Sequence, residues 1–70
     1  MTDKEFVLSI YPTARAIHTT WNNPTFWLIW CPSFSKDLNY IRGTNAETEP
    51  SAWEKARIIL EKILLKKLME

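Results

Sequence analysis

The sequence predicts a small α+β domain with the element order α-β-β-β-α, in which helices pack on one face of a three-stranded antiparallel sheet. The main observation is a segment rich in β-branched residues followed by an unbroken apolar run, with asparagine and proline between the two. A long segment with helical spacing of apolar residues follows them, and a shorter helical segment precedes them. All of these elements are expected to form one domain over residues 1–70.

The first helix is predicted over residues 3–10. Thr2 or Asp3 can cap it, because a side-chain oxygen before the first turn accepts a hydrogen bond from a free amide. Tyr11 and Pro12 end it, since the residue before a proline is excluded from the α region.

Three strands are predicted, over residues 15–21, 25–31 and 38–42. Residues 22–24 read Asn-Asn-Pro, which is typical of a turn, and Gly43 ends the third strand. The second strand is unusual, because it is apolar without interruption where a strand with one wet face alternates. The sequence therefore leaves open which of its two faces is buried.

The last helix is predicted over residues 48–68. Thr48 is suited to cap it, Pro50 fits its first turn, and Glu49 lies where the helix dipole favours negative charge. One side of this helix carries a continuous apolar stripe that is predicted to face the sheet, with Trp53 buried. That stripe consists of Ala52, Trp53, Ala56, Ile59, Leu60, Ile63 and Leu64.

The element order resembles that of the double-stranded-RNA-binding domain, in topology and in length. That family places a basic pair at the start of its last helix to meet phosphates. The corresponding stretch here reads ETEPSAWEKA and is mostly acidic and neutral. The resemblance therefore implies an order of elements and does not extend to the RNA-binding residues.

Two apolar surfaces are predicted to remain outside the core. With Trp21 placed opposite Phe26, one face of the hairpin is larger and more apolar, and it is assigned to the helices. That face carries Ile17, Thr19, Trp21, Phe26, Leu28 and Trp30. Side chains alternate along a strand, so Trp27 and Ile29 are then expected to be exposed.

The second apolar surface lies on the last helix, opposite its core stripe, and consists of Ile58, Leu65 and Met69. Together with Trp27 and Ile29, these three residues are predicted to bind a protein partner. The sequence thus favours a non-enzymatic protein-interaction module, acting as an accessory or inhibitory subunit or as a homo-oligomer.

The alternative function is weak nucleic-acid binding through aromatic residues of the sheet and a strip of lysines. Its predicted residues are Tyr40, Arg42, Lys55, Lys62 and Lys66, with Trp27 as a further stacking ring. The formal net charge of +1, from nine basic and eight acidic side chains, disfavours this alternative.

Catalytic and metal chemistry find little support in the sequence. His18 and Cys31 are expected to be diagonal neighbours, but no carboxylate is placed to orient the histidine, so a thiol–imidazole dyad is set aside. One His and one Cys fall short of a metal-ligand set, and no cofactor is expected. Without an export signal or an apolar run long enough to span a bilayer, a cytoplasmic location away from membranes is expected.

Overall fold

The computed structural model describes residues 2–20, 24–34 and 39–69. Within them the protein is an α+β domain with two helices and a two-stranded antiparallel sheet. The elements are α1 (Asp3–Ile10), β1 (Arg15–Thr19), β2 (Phe26–Trp30) and α2 (Glu49–Met69). Each of them overlaps a predicted element of the same type.

The helix caps follow from local sequence and are confirmed. Thr2 precedes α1, and its Oγ1 accepts a hydrogen bond from the Glu5 amide at 3.1 Å. At the other end of α1, the Tyr11 amide donates to the Val7 carbonyl at 2.8 Å. Thr48 caps α2 in the same way, since its Oγ1 accepts from the Ser51 amide at 3.3 Å.

The hairpin register differs from the prediction by two residues. Thr19, and not Trp21, lies opposite Phe26, and Trp21 itself is outside the described residues. Thr19 ends the ladder, because its hydroxyl donates to the Phe26 carbonyl at 3.0 Å and accepts from the Phe26 amide at 3.2 Å. A shift of two keeps every residue on its predicted face, since side chains alternate with a period of two.

The orientation of the hairpin, however, is the reverse of the predicted one. Ile29 is fully buried in the core, and Trp27 is partly buried against that core. Leu28 and Trp30, which were assigned to the helices, line an open groove on the opposite face. The core-facing side of α2 includes Ala52 and Ala56, whose small side chains leave room for the face of the sheet that carries Ile29.

A third strand over residues 38–42 is not confirmed, and neither is the order of elements of the double-stranded-RNA-binding domain. Leu38 lies outside the described residues, and Tyr40 forms only an isolated bridge with Trp30. After Tyr40 the chain turns through Gly43, whose φ of 90° is a conformation that other residues rarely adopt. The segment then returns to β2, where Ala46 forms a second isolated bridge with Trp27.

The core is assembled where α1, the sheet and the first three turns of α2 meet. Trp53 is buried there as predicted, with 4% of its surface exposed, and its indole Nε1 donates to Glu49 at 3.3 Å. An ion pair holds α1 to α2, with Arg57 Nε 2.7 Å from Asp3 Oδ1, although the N–H is not aligned for a hydrogen bond. The residues of α2 that are buried in this core are Ala52, Trp53, Ala56 and Leu60.

The predicted core stripe of α2 is too long at its C-terminal end. Leu60 is its last buried residue, Ile63 is half-buried, and Leu64 is exposed. The cause is a difference in length, because α2 has 21 residues, whereas α1 has 8 and each strand has 5. The end of α2 therefore lies beyond the elements that could cover it.

Candidate interaction surfaces

The last turns of α2 carry a large apolar surface that no described residue covers. Leu65 is 60% exposed, Leu68 86% and Met69 82%. We call this the α2 surface, and it consists of Ile58, Leu64, Leu65, Leu68 and Met69. The exposure predicted for Ile58, Leu65 and Met69 is confirmed. Leu64 and Leu68 enlarge the surface, and for Leu64 the sequence offered no signal, because its position continues the core stripe.

Charged side chains of opposite sign border the part of the α2 surface that is formed by Ile58, Leu65 and Met69. At about 100° per residue, Lys62 and Lys66 lie along one edge of the Ile58–Leu65–Met69 stripe, and Glu61 lies along the other, as does Glu54 one turn before Ile58. All four charged residues are exposed. The stripe thus has a basic edge and an acidic edge, and Leu64 and Leu68 lie beyond the acidic edge.

A second apolar surface lies on the side of the sheet that faces away from the helices. It is a groove with a volume of about 350 Å³. We call it the outer sheet face, and its apolar and aromatic residues are Ile17, Phe26, Leu28, Trp30 and Tyr40. The guanidinium of Arg15 lies 4.9 Å from the centre of the Trp30 ring, within the range of a cation–π contact.

Trp27 and Ile29, the two sheet residues predicted to bind a partner, lie on the face of the sheet that packs against the core. Ile29 is in the core, so it offers no surface to a partner, and its predicted exposure is wrong. Trp27 is partly buried, and its ring stacks on that of His18 with a centroid distance of 4.7 Å and an interplanar angle of 10°. The exposed apolar face of β2 is therefore formed by its alternate residues, Phe26, Leu28 and Trp30.

The predicted nucleic-acid residues do not form one site. Tyr40 lines the outer sheet face, whereas Lys62 and Lys66 lie on α2 beside the stripe. Lys55 is tied to the loop before α2, where its Nζ donates to the Asn45 carbonyl at 2.6 Å. Arg42 is exposed in the turn before Gly43.

The observed register separates the two residues considered for a dyad. His18 pairs with Trp27, and Cys31 lies four positions further along the chain, beyond Ile29, so the two are not diagonal neighbours. Cys31 is fully buried, and burial raises the pKa of its thiol above the usual value, although the Phe34 and Ser33 amides lower it in part. The thiol is therefore held in its protonated form at neutral pH.

Among residues 2–20, 24–34 and 39–69, no cluster of three His, Cys, Asp or Glu side chains is placed to hold a metal ion. Over the same ranges, neither helix combines the length and the apolar character that crossing a bilayer requires. No protein-family model, curated protein or solved structure matches this chain. The α2 surface and the outer sheet face are thus the features of the described residues that indicate a function.

Proposed function

We propose that this chain is a small non-enzymatic protein-interaction module that contacts another protein through the α2 surface. The supporting observation is the group of five large apolar side chains on α2, with exposures from 38% to 86%. Single exposed apolar residues are ordinary, but contiguous apolar patches on soluble proteins are commonly sites of contact. The same role suits an accessory or inhibitory subunit and a homo-oligomer.

The position of this surface favours recognition over a structural role. Residues 61–69 follow the last buried residue of α2, so their side chains add little to the core. A helix with an apolar face is a common recognition element, since its side chains can lie in a groove or against a second helix. Substitutions in this part of α2 should therefore leave the fold unchanged and remove the contact.

A double variant with Leu65→Glu and Leu68→Glu tests the proposal. Wild-type and variant chains would be compared as baits in extracts of the native cell, and their masses would be measured by light scattering. Lys67→Gln is the control, because Lys67 is exposed on α2 but lies on the opposite side from the stripe. We expect the double variant alone to lose either its captured partner or its self-association. If it stays folded by circular dichroism and retains the partners and the mass of the wild type, the proposal is wrong.

A second candidate function is weak binding of single-stranded nucleic acid on the outer sheet face. It is supported by the side-by-side placement of Trp30 and Tyr40, with Arg15 at the edge of the same face. Aromatic rings beside a cationic group provide stacking positions for bases. The residues that support it are therefore different from the lysines of α2.

The nucleic-acid candidate has a direct test. Tryptophan fluorescence would be titrated with oligothymidylate at several salt concentrations, for the wild type and for Tyr40→Leu. Binding that weakens steeply with salt and is lost in Tyr40→Leu would support it. An unchanged fluorescence at low salt would exclude this function for the outer sheet face.

A further inference from the structure

The part of the α2 surface formed by Ile58, Leu65 and Met69 lies on the side of its helix that faces away from the core. At about 100° per residue, Ile58 and Leu65 are roughly opposite Ala56 and Leu60, which are buried. A second long helix can therefore lie along the stripe without meeting α1 or the sheet. Within the part of the chain that the structure describes, Ile58, Leu65 and Met69 are all exposed.

The two charged edges specify which helix would fit. When two identical helices pack in parallel, each edge of one helix faces the opposite edge of the other, whereas antiparallel packing brings like edges together. Beside the stripe formed by Ile58, Leu65 and Met69, Lys66 lies on one edge and Glu61 on the other. Parallel packing of two copies therefore places unlike charges across the interface on both sides.

We infer that the partner of the α2 surface is a second copy of this chain, whose α2 packs in parallel against the first. This inference rests on the proposed function, and it names the partner of the same surface. With Ile58 and Leu65 in the seam, Glu61 of each copy lies beside the partner's Lys66, five residues further along. The twofold axis runs along the helices, and it generates this pair twice.

Lys62 adds specificity to the arrangement. It lies seven residues before Met69, so in the parallel pair the two copies' Lys62 side chains approach each other at the seam and keep their charged ends in water. A lysine at such a position lowers the stability of a helix pair and restricts its register. Because the seam spans only about three turns, the dimer is expected to be weak and to dissociate on dilution.

The charged pair can be tested by exchanging its members in the full-length chain. Sedimentation velocity over a range of concentrations would compare the wild type with Glu61→Lys, Lys66→Glu and the double exchange. Each single change places like charges across both edges, so the dissociation constant should rise on the order of tenfold. The double exchange should restore dimerisation. Single variants that dimerise as well as the wild type would overturn the charge pairing.

The orientation has an independent test in Met69→Cys. In a parallel dimer the two Met69 positions meet across the seam, so mild oxidation should produce a disulfide-linked dimer at concentrations where the wild type forms none. The wild type contains only the buried Cys31, so it shows whether that residue forms a disulfide under the same conditions. A dimer that does not cross-link at position 69 would be antiparallel or joined elsewhere, and either result contradicts the inference.

The outcomes also separate this inference from the proposed function. A wild-type chain that stays monomeric at all concentrations, but captures a cellular protein that the Leu65→Glu and Leu68→Glu variant loses, would overturn the second copy as partner. The interaction function of the α2 surface would remain in that case. If that variant retains both self-association and the captured protein, the inference and the proposed function are both overturned.

Discussion

The hydroxyl of Thr44 accepts a hydrogen bond from the backbone N–H of Ile29 at 3.0 Å, and both residues are fully buried. The same hydroxyl donates to the Ile41 carbonyl at 2.7 Å, and the Ile41 amide donates to the Ile29 carbonyl at 2.9 Å. A side chain thus supplies part of the bonding that a neighbouring strand would give to β2. This arrangement explains how β2 remains paired on its second side where residues 39–46 turn instead of running straight.

Replacing Thr44 by valine should destabilise the protein without changing the shape of its core. The Ile29 amide and the Ile41 carbonyl would each lose a partner, and a buried polar group without a partner costs about 1–3 kcal/mol. Thr44→Ser is the control, because it retains the hydroxyl and removes one methyl group, which costs about 0.8 kcal/mol. Urea denaturation should rank the wild type above serine and serine above valine. A valine variant as stable as the serine variant would show that the hydroxyl contributes nothing.

Ile29→Ala and Leu28→Ala should separate the buried and open faces of β2. Ile29 is fully buried, so its truncation should lower the free energy of unfolding by about 2–5 kcal/mol. Leu28 lines the outer sheet face, and its truncation should cost about 1 kcal/mol or less. Equilibrium unfolding of the two variants measures the difference. A larger loss for Leu28→Ala would mean that the hairpin is oriented as the sequence alone predicts.

Trp53→Ala should remove a large part of the stability of the domain. The ring is buried where α2 meets α1, and truncation of a large buried aromatic residue costs roughly 3–5 kcal/mol. The total free energy of unfolding of a small domain is often of that size, so the variant is expected to be partly unfolded at room temperature. Leu68→Ala, at an exposed position of the same helix, is the comparison variant. Thermal denaturation of the two variants measures the difference in their stability. A loss below about 1 kcal/mol for Trp53→Ala would contradict its place in the core.

Stability should fall as the pH rises above about 8.5, the ordinary pKa of a free cysteine. Burial raises the pKa of the Cys31 thiol in the folded chain, so the unfolded chain loses this proton at a lower pH. The unfolded state then binds fewer protons than the folded state, and alkaline pH favours it. Unfolding free energies between pH 7.5 and 9.5 should therefore decline for the wild type and much less for Cys31→Ala. Equal slopes for the two proteins would assign the decline to other groups.

The parts of the fold that depend on local chemistry could be predicted from the sequence. The caps at Thr2 and Thr48 and the burial of Trp53 follow from side-chain oxygens at helix starts and from helical spacing. The exposure of Ile58, Leu65 and Met69 was also predictable, because it follows from the same helical periodicity. Each of these features is determined within one element.

The register and orientation of the hairpin could not be predicted, because both depend on contacts between elements. A shift of two residues leaves the alternation along β2 unchanged, so pairing of Phe26 with Thr19 or with Trp21 satisfies the same pattern. Every residue of β2 is apolar, so polarity does not indicate its outer face either. The closest signal is in α2, where Ala52 and Ala56 indicate a close approach and therefore favour the face with the smaller side chains.

The two strands differ in how their backbones are bonded. On one side of β2, hydrogen bonds to residues 39–46 are donated by the amides of Trp27, Ile29 and Cys31. The alternate residues Phe26, Leu28 and Trp30 therefore direct their backbone groups toward β1. The outward-facing amides of β1 are then those of Ala16 and His18, which have no backbone partner among the described residues. In deuterated solvent these two amides should exchange before the other amides of the sheet, whereas the amide of Ile29 should exchange only when the whole domain opens. A five-residue edge strand that begins with the charged residue Arg15 is short enough to limit unwanted strand addition.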